Sequence, residues 1–445
     1  MDWLCTREPG LRRGVVVIGI LAFIMACHAY EMHAQSSGKS EKAKTKAREI
    51  RDVRSRHFLI HTDLSSHEAD EVAERLEAVL GHISKYWGQP LRGVIECNVI
   101  SDLGEFPAAG TAPEGVRGVK TCGGVTLMYF RREGRRQVGK SVVYSAARLE
   151  VVQHEAVHAY CHQTFGRLGP IWYSEGMAEM AHYWEEGDSA VHADLREIDF
   201  LHTSPPNSLA TVVSLGQVTG DCWQNYASRW ALCHFLFSNP NYSQQFRQLG
   251  RGFLTGRDVS FEQTYAATTR ELSFEYLFFL EHISRGYRVD LCAWNWRKQF
   301  TGLQGRRTQQ VTVAAGRGWQ PSGLSVRAAT KYEYLASGAW QIAGDPEAID
   351  ADGDHQHRGR LVGVLMKDHR LGAEIELGTK GSFRLETDGD LYLRCRNSWN
   401  ELAGDHGHVT VRFQLQGHNP PLCDAAGRGH TSPGVTCSSA CSGRQ

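Results

Sequence analysis

From residue 57 onward the chain moves between two kinds of apolar spacing. "HFLIHTD" (His57 to Asp63) is a short apolar run between polar residues and predicts a strand. In "SHEADEVAERLEAVLGHISKYW" (Ser66 to Trp87), Val72, Leu76, Val79, Leu80 and Ile83 recur at helical spacing, with a serine cap at the start. "GVIECNVISD" predicts a second strand and "GVTLMYFRR" (Gly124 to Arg132) a third. A helix is expected over Val142 to Gln163, then a loop "TFGRLGP", then a helix from about Trp172 to Trp184. Helical spacing returns in "NYASRWALCHFLF" and "ELSFEYLFFLEHI". Strands first and helices after predict an α+β domain over residues 57–317.

The spacing changes after about Arg317. "GAWQIAG", "GRLVGVLM", "AEIELGT", "GSFRLET", "DLYLRCR" and "HVTVRFQLQ" are short alternating runs separated by Gly and Asp turns. They predict a small all-β sandwich or barrel over residues 326–415. Residues 417–445 lack hydrophobic periodicity and read as a poorly ordered tail. At the other end, Arg12 and Arg13 precede "GVVVIGILAFIMA" (Gly14 to Ala26), an apolar run of signal-peptide length. Residues 1–34 are therefore expected to be an export signal, giving a secreted or periplasmic protein without a stable transmembrane span. The alternative is "IMAC" (Ile24 to Cys27), which resembles a bacterial lipobox and implies a lipid anchor on Cys27. Residues 35–56 are polar and mostly basic, and are expected to be a solvated linker.

Composition narrows the partners. The formal net charge of the 445 residues is zero, so no overall field draws nucleic acid to the molecule. A peptide, protein, glycan or small molecule is the expected partner. Of the 12 cysteines, Cys5 and Cys27 lie in the leader. The even number left in an exported chain predicts disulfides, with free buried thiols as the alternative. Cys423, Cys437 and Cys441 cluster in the tail.

The candidate chemistry sits in "VVQHEAVHAY". On a helix His154 and His158, four apart, project from one face and can share a metal ion. Glu155 stands beside that face, where its carboxylate can take a proton from a water held at the metal. A third ligand is needed. The metzincin pattern would place Gly and His where this chain has Cys161 and Thr164, which excludes it. The helix that follows offers Glu175 and Glu179, one turn apart; His182 and His192 are further candidates.

His154-Glu155-x-x-His158 followed by Pro170-x-Trp172-x-x-Glu175-Gly176-x-Ala178-Glu179 resembles the gluzincin clan of zinc metallopeptidases, in particular the bacterial peptidase MA-like families. The Trp-x-x-Glu-Gly element is also similar to that of aminopeptidase-N-like enzymes. The resemblance spans roughly Ser55 to Tyr287, and its specific motifs lie between His154 and Glu179. It implies a zincin-like core with one zinc ion held by His154, His158 and Glu175. It implies Glu155 as general base and Glu179 as the partner that steadies His154. It further implies that Tyr226 helps to hold the oxyanion, with His234 as backup; a core aromatic beside Trp230 is the plainer reading of Tyr226. The Lys-Gly that usually follows this tyrosine and the Gly-x-Met-Glu-Asn signature of aminopeptidases are both missing, so exopeptidase action is not implied. "GVTLMYF" stands where an edge strand that binds substrate backbone is expected.

In the β segment, "GDLYLRCRNSWNELAGDHGHVTV" weakly resembles calcium-dependent galactose-binding bacterial lectins. Those place Asp and paired Asn residues where this chain has Asn397, Ser398, Asp405 and His406, so several ligands are replaced. Asp350, Asp352 and Asp354 offer oxygen ligands to a hard cation such as Ca2+, against the plainer reading as acidic turn residues. Trp340 and Trp399 are either sugar-stacking platforms or core. The sequence thus predicts an exported zinc metallopeptidase acting on peptides or proteins, with a β-sandwich for glycan or surface material. The rival is a catalytically inactive adhesion or glycan-binding protein on a zincin scaffold. A zinc hydrolase of some other bond is the third reading.

Overall fold

The computed structural model describes residues 15–16, 50–104, 106, 111–133, 136–215, 221–345 and 347–416. The remainder of the leader, most of the linker and the tail, with Cys5, Cys27, Cys423, Cys437 and Cys441, lie outside the described residues.

The chain is mixed α+β. Its first sheet is built from β1 (Val15–Val16), β2 (Arg51–Arg54), β3 (Phe58–Thr62), β4 (Ile95–Ile100), β5 (Gly124–Glu133) and β6 (Arg136–Ala146). They run in the order β1-β5-β6-β4-β3-β2. β3, β4 and β6 are parallel, and β5 pairs antiparallel with β6. The crossover from β3 to β4 is α1 (Ser66–Trp87), whose capping serine is Ser65, paired reciprocally with Glu68. Its apolar stripe from Ala69 to Trp87 is buried. Each fully buried Leu or Ile of such a stripe contributes about 1.5–3 kcal/mol. The short α2 (Pro113–Cys122) precedes β5.

Two sequence expectations move here. The linker does not run to residue 56, because β2 pairs with β3 from Arg51↔Thr62 to Arg54↔Leu59. Its alternate residues are half-buried and exposed, which leaves room for charge on a sheet edge. The helix expected from Val142 starts later: Val142 to Ala146 finish β6, and α3 begins at Leu149 (Leu149–Phe165). Buried β-branched Val142 and Val143 continue the strand into the helix, so apolar spacing alone did not mark the boundary.

Helices follow: α4 (Ile171–His182), α5 (Leu195–Thr203), α6 (Leu209–Ser214), α7 (Trp223–Ser238), α8 (Ser243–Thr255), α9 (Phe261–Tyr265), α10 (Thr269–His282) and α11 (Val289–Cys292). α3 is buried from Val151 through His162, and so lies inside the core rather than on it. Among the described residues no helix is long and apolar enough to cross a membrane.

The second lobe is all antiparallel. It holds β7 (Gln309–Ala314), β8 (Gln320–Val326), β9 (Lys331–Gln341), β10 (Leu361–Lys367), β11 (Arg370–Leu371), β12 (Ile375–Glu376), β13 (Lys380–Arg384), β14 (Gly389–Cys395) and β15 (His406–Leu415). One sheet runs β11-β10-β14-β8 with β12 on β10; the other runs β13-β9-β15-β7. The expected start at residue 326 is therefore too late. β7 pairs along β15 and β8 along β14, and Leu303 already packs in this lobe's core. Trp340 is 1% exposed in that core and donates its Nε1 hydrogen to the Gly359 carbonyl, which removes it as a sugar platform. None of the seven described cysteines (Cys97, Cys122, Cys161, Cys222, Cys233, Cys292 and Cys395) is in a disulfide, which corrects the disulfide expectation for them.

Glu275 of α10 fastens the lobes. Its buried carboxylate accepts hydrogen bonds from Asn239, Asn241, Tyr242, Trp296 and the Trp294 backbone. Trp294 then packs with Phe278, Trp319 and Tyr392 across the junction. Glu275→Ala orphans these buried donors and is expected to cost about 3–5 kcal/mol. The check is a lowered urea midpoint at unchanged slope.

Candidate metal centre

The site is assembled on α3 and α4. Gly166, in the left-handed region at φ 71°, ends α3, and Pro170 starts α4. The short loop turns the chain back so that Glu175 meets both histidines. His154 Nε2 and His158 Nε2 lie 3.2 Å apart. The Glu175 carboxylate lies 3.6 Å from the first and 3.4 Å from the second. The two carboxylate distances end on different oxygens, Oε2 and Oε1, and all three separations are near the roughly 3.3–3.4 Å between donors on a tetrahedral ion with bonds of about 2.0–2.1 Å. A hydrogen bond between the imidazoles would not account for Glu175, both of whose oxygens are buried without a hydrogen-bond partner. The residues are 1%, 1% and 0% exposed. His154, His158 and Glu175 thus form a group that could hold a metal ion.

Behind His154, its Nδ1 lies 3.0 Å from Glu179 Oε1, close enough for ion pairing though off the line of a hydrogen bond. Glu179 also faces His182 Nδ1 at 3.9 Å. His154, Glu179 and His182 thus form a second group with metal-holding spacing, sharing His154 with the first. His192 belongs to neither, standing between Glu185 and Asp188. Burial opposes the charge on Glu175, but His158 and His154 outweigh it and hold its carboxyl down to about 2. Burial also opposes charge on His154, where Glu175 and Glu179 prevail and raise its pKa.

Glu155 is set apart from these ligands. Its side chain turns to β5, where Thr126 donates to Oε2 at 2.7 Å and to the Glu155 carbonyl at 3.0 Å. Gly124 makes that approach possible. A Cβ there would stand 2.8 Å from Val151 Cγ1 and 3.0 Å from Glu155 Cγ. Burial raises the Glu155 pKa despite the histidines and Thr126, which makes its carboxylate a stronger base than an exposed glutamate.

Tyr226 reaches the centre from α7, its ring 6.5 Å from that of His154. Gly176 lets α4 and α7 pack closely, since a Cβ there would meet Cys233 Sγ at 2.3 Å and the Arg229 carbonyl at 2.7 Å. Burial, then Glu175 and Glu179, keep the Tyr226 hydroxyl protonated by raising its pKa. Beneath it lies Arg229, 5.3 Å from the ring and paired with buried Asp221. His234, the backup, packs against Trp230 and Phe279 instead.

Thr126, Gly124, Asp221 and Arg229 did not emerge from the sequence reading. Arg229 left a signal: a charged residue three after Tyr226 on an apolar helix. Thr126 left none, because its contact with Glu155 spans 29 positions.

The β lobe's candidate oxygens are otherwise engaged. Asp350 accepts from the Asp352 backbone, Asp352 from Thr379, and Asp354 from Gln356 and Arg358. Asn397 donates to Asp405, which also accepts from the Ala343 backbone. Ser398 and His406 are exposed. Among the described residues none of these joins a group of His, Cys, Asp or Glu with metal-holding spacing. Trp399 stacks on His282 and under Arg394 at the rim of a wide groove. That groove, about 1840 Å3, lies between α10 and the β lobe and not at the histidines.

No family model matches the chain, and no curated protein matches it. Among solved structures it is similar to the N-terminal domain of EclA, a PllA-like lectin, at 18% identity and a TM-score of 0.20. The likeness covers 24% of this chain and 96% of that one. A likeness of this size carries no argument about fold or ligand.

Proposed function

We propose that this chain is a zinc-dependent hydrolase of peptide bonds, of gluzincin type. The observation that carries the reading is the buried three-residue donor group of His154, His158 and Glu175, with base-like Glu155 outside it. Three protein donors leave one tetrahedral position for a reactant, whereas a purely structural zinc site takes four protein ligands. Among the described residues no fourth His, Cys, Asp or Glu joins these three.

His154, His158 and Glu175 would hold the ion, and Glu179 would fix the orientation of His154. When bound, zinc supplies Lewis acidity to a carbonyl and acidifies water. Glu155 takes the proton from the attacking water and passes it to the leaving nitrogen. Thr126 keeps the Glu155 carboxylate from swinging onto the metal position. The protonated Tyr226 hydroxyl donates to the oxyanion as charge develops there. Arg229 and Asp221 hold the start of α7, and with it Tyr226, in place.

Metal analysis of the purified chain, followed by digestion of a diverse peptide library with and without Glu155→Gln, tests the reading. Stoichiometric zinc with no cleavage of any peptide would favour the inactive-scaffold rival.

A further inference from the structure

The two nitrogens of His154 each face a carboxylate. Nε2 lies 3.6 Å from Glu175 and Nδ1 lies 3.0 Å from Glu179. Through its other oxygen Glu179 stands 3.9 Å from His182 Nδ1. His154 Nδ1, Glu179 Oε1 and His182 Nδ1 are all buried and make no hydrogen bond. His154, Glu179 and His182 bring one ligand atom each within 4.8 Å of one another. This group lies nearer the surface than the first: the His182 side chain is 8% exposed, against 1% for His154 and His158. His182 also lines an open pocket of about 250 Å3, with Glu150, Glu185, Asp194, His192 and Arg75 as its other charged or titratable side chains. Arg75 donates to Gln153 and to the Trp184 carbonyl, and Arg148 pairs with Glu150. Three carboxylates against one guanidinium make the lining acidic.

We infer that His154, Glu179 and His182 form an outer position for the same ion, through which zinc passes between the acidic pocket and the inner three donors. The inference rests on the reading of His154, His158 and Glu175 as the resident site. A neutral imidazole has one lone pair, so His154 serves the inner position through Nε2 or the outer one through Nδ1. The two are therefore alternatives for one ion. Each tautomer finds an acceptor: Nε2–H faces Glu175 while the ion is outside, and Nδ1–H faces Glu179 once it is inside. The outer position is the looser. Its carboxylate stands 3.0 Å from one histidine and 3.9 Å from the other, which departs from the roughly 3.3–3.4 Å between donors on a tetrahedral ion. An acidic mouth raises the local concentration of cations. With His154 common to both positions, the ion changes its other donors without standing unliganded inside the protein.

The test uses zinc alone and the full chain, read by competition with a chromophoric chelator and by stopped-flow mixing. His158→Ala with Glu175→Ala removes the inner position and leaves the outer one. This double variant should bind one zinc on titration and lose it on dialysis. Adding His182→Ala should weaken that zinc by more than about tenfold, since a ligand counts for more than an outer partner. In the otherwise unaltered chain, His182→Ala should leave one zinc per chain at equilibrium and slow uptake and release together, by about tenfold if His182 matters as an outer metal partner does. Thermal melts establish that each variant is folded; if the double alanine variant is not, His158→Gln with Glu175→Gln replaces it. No saturable zinc in the folded double variant overturns the outer position, and so does zinc there that His182→Ala leaves unweakened. Uptake by the His182→Ala chain at the unaltered rate overturns the route. Failure of the inner reading looks different: the unaltered chain would then hold zinc no more tightly than the double variant, and the route would lose its destination. None of these readouts depends on hydrolysis.

Discussion

Glu155→Gln should retain its full complement of zinc and lose peptide hydrolysis by about a hundred- to ten-thousand-fold, the usual cost of removing a general base. The substitution isolates one property. Glutamine has the shape of glutamate, and its carbonyl still accepts the Thr126 hydrogen bond that fixes the side chain. It cannot accept a proton at neutral pH. Because Glu155 belongs to neither metal-holding group, zinc content measured by mass spectrometry should match the unaltered chain. Activity near the original level would mean that another group is the base. Loss of zinc would mean that Glu155 is a ligand after all.

Glu175→Ala should empty the centre. It removes one of three donors and leaves two neutral imidazoles facing an ion whose charge no nearby ligand offsets. Loss of an outer partner costs about 10–100-fold in metal affinity, so loss of a ligand should exceed that, whereas Glu179→Ala should fall within it. Competition against a chromophoric chelator measures both. If Glu175→Ala still carries one zinc per chain, the ion sits in the group formed by His154, Glu179 and His182. His182→Ala would then release it.

What could be read in the sequence divides by the range of the interactions. α1 was legible because its capping and its apolar stripe are local, and the sandwich strands because their alternation is local. The two histidines were legible because one helical turn fixes their relation. The boundary at Val142 was not, since a buried strand running into a buried helix shows no change of period. The start of the β lobe was missed because β7 is recognisable only through its pairing with β15, nearly a hundred positions away. In the centre itself, His154 and His158 announced themselves by spacing, whereas Glu175 was singled out only through the resemblance to gluzincins. Thr126 and Gly124 from the sheet, the groups that position Glu155, are joined to it only by the fold. Trp340 shows the reverse case, a residue whose chemistry suggested a surface role and whose burial assigns it to the core.

The burial of the three donors sets a timescale as well as a geometry. The donor residues are at most 1% exposed, so a chelator such as EDTA is expected to reach the ion only after the protein opens or the ion leaves. Metal loss should therefore proceed at a rate that stops rising with chelator concentration, with the plateau reporting the opening step. A rate that climbs in proportion to EDTA throughout would show direct attack on a site already accessible.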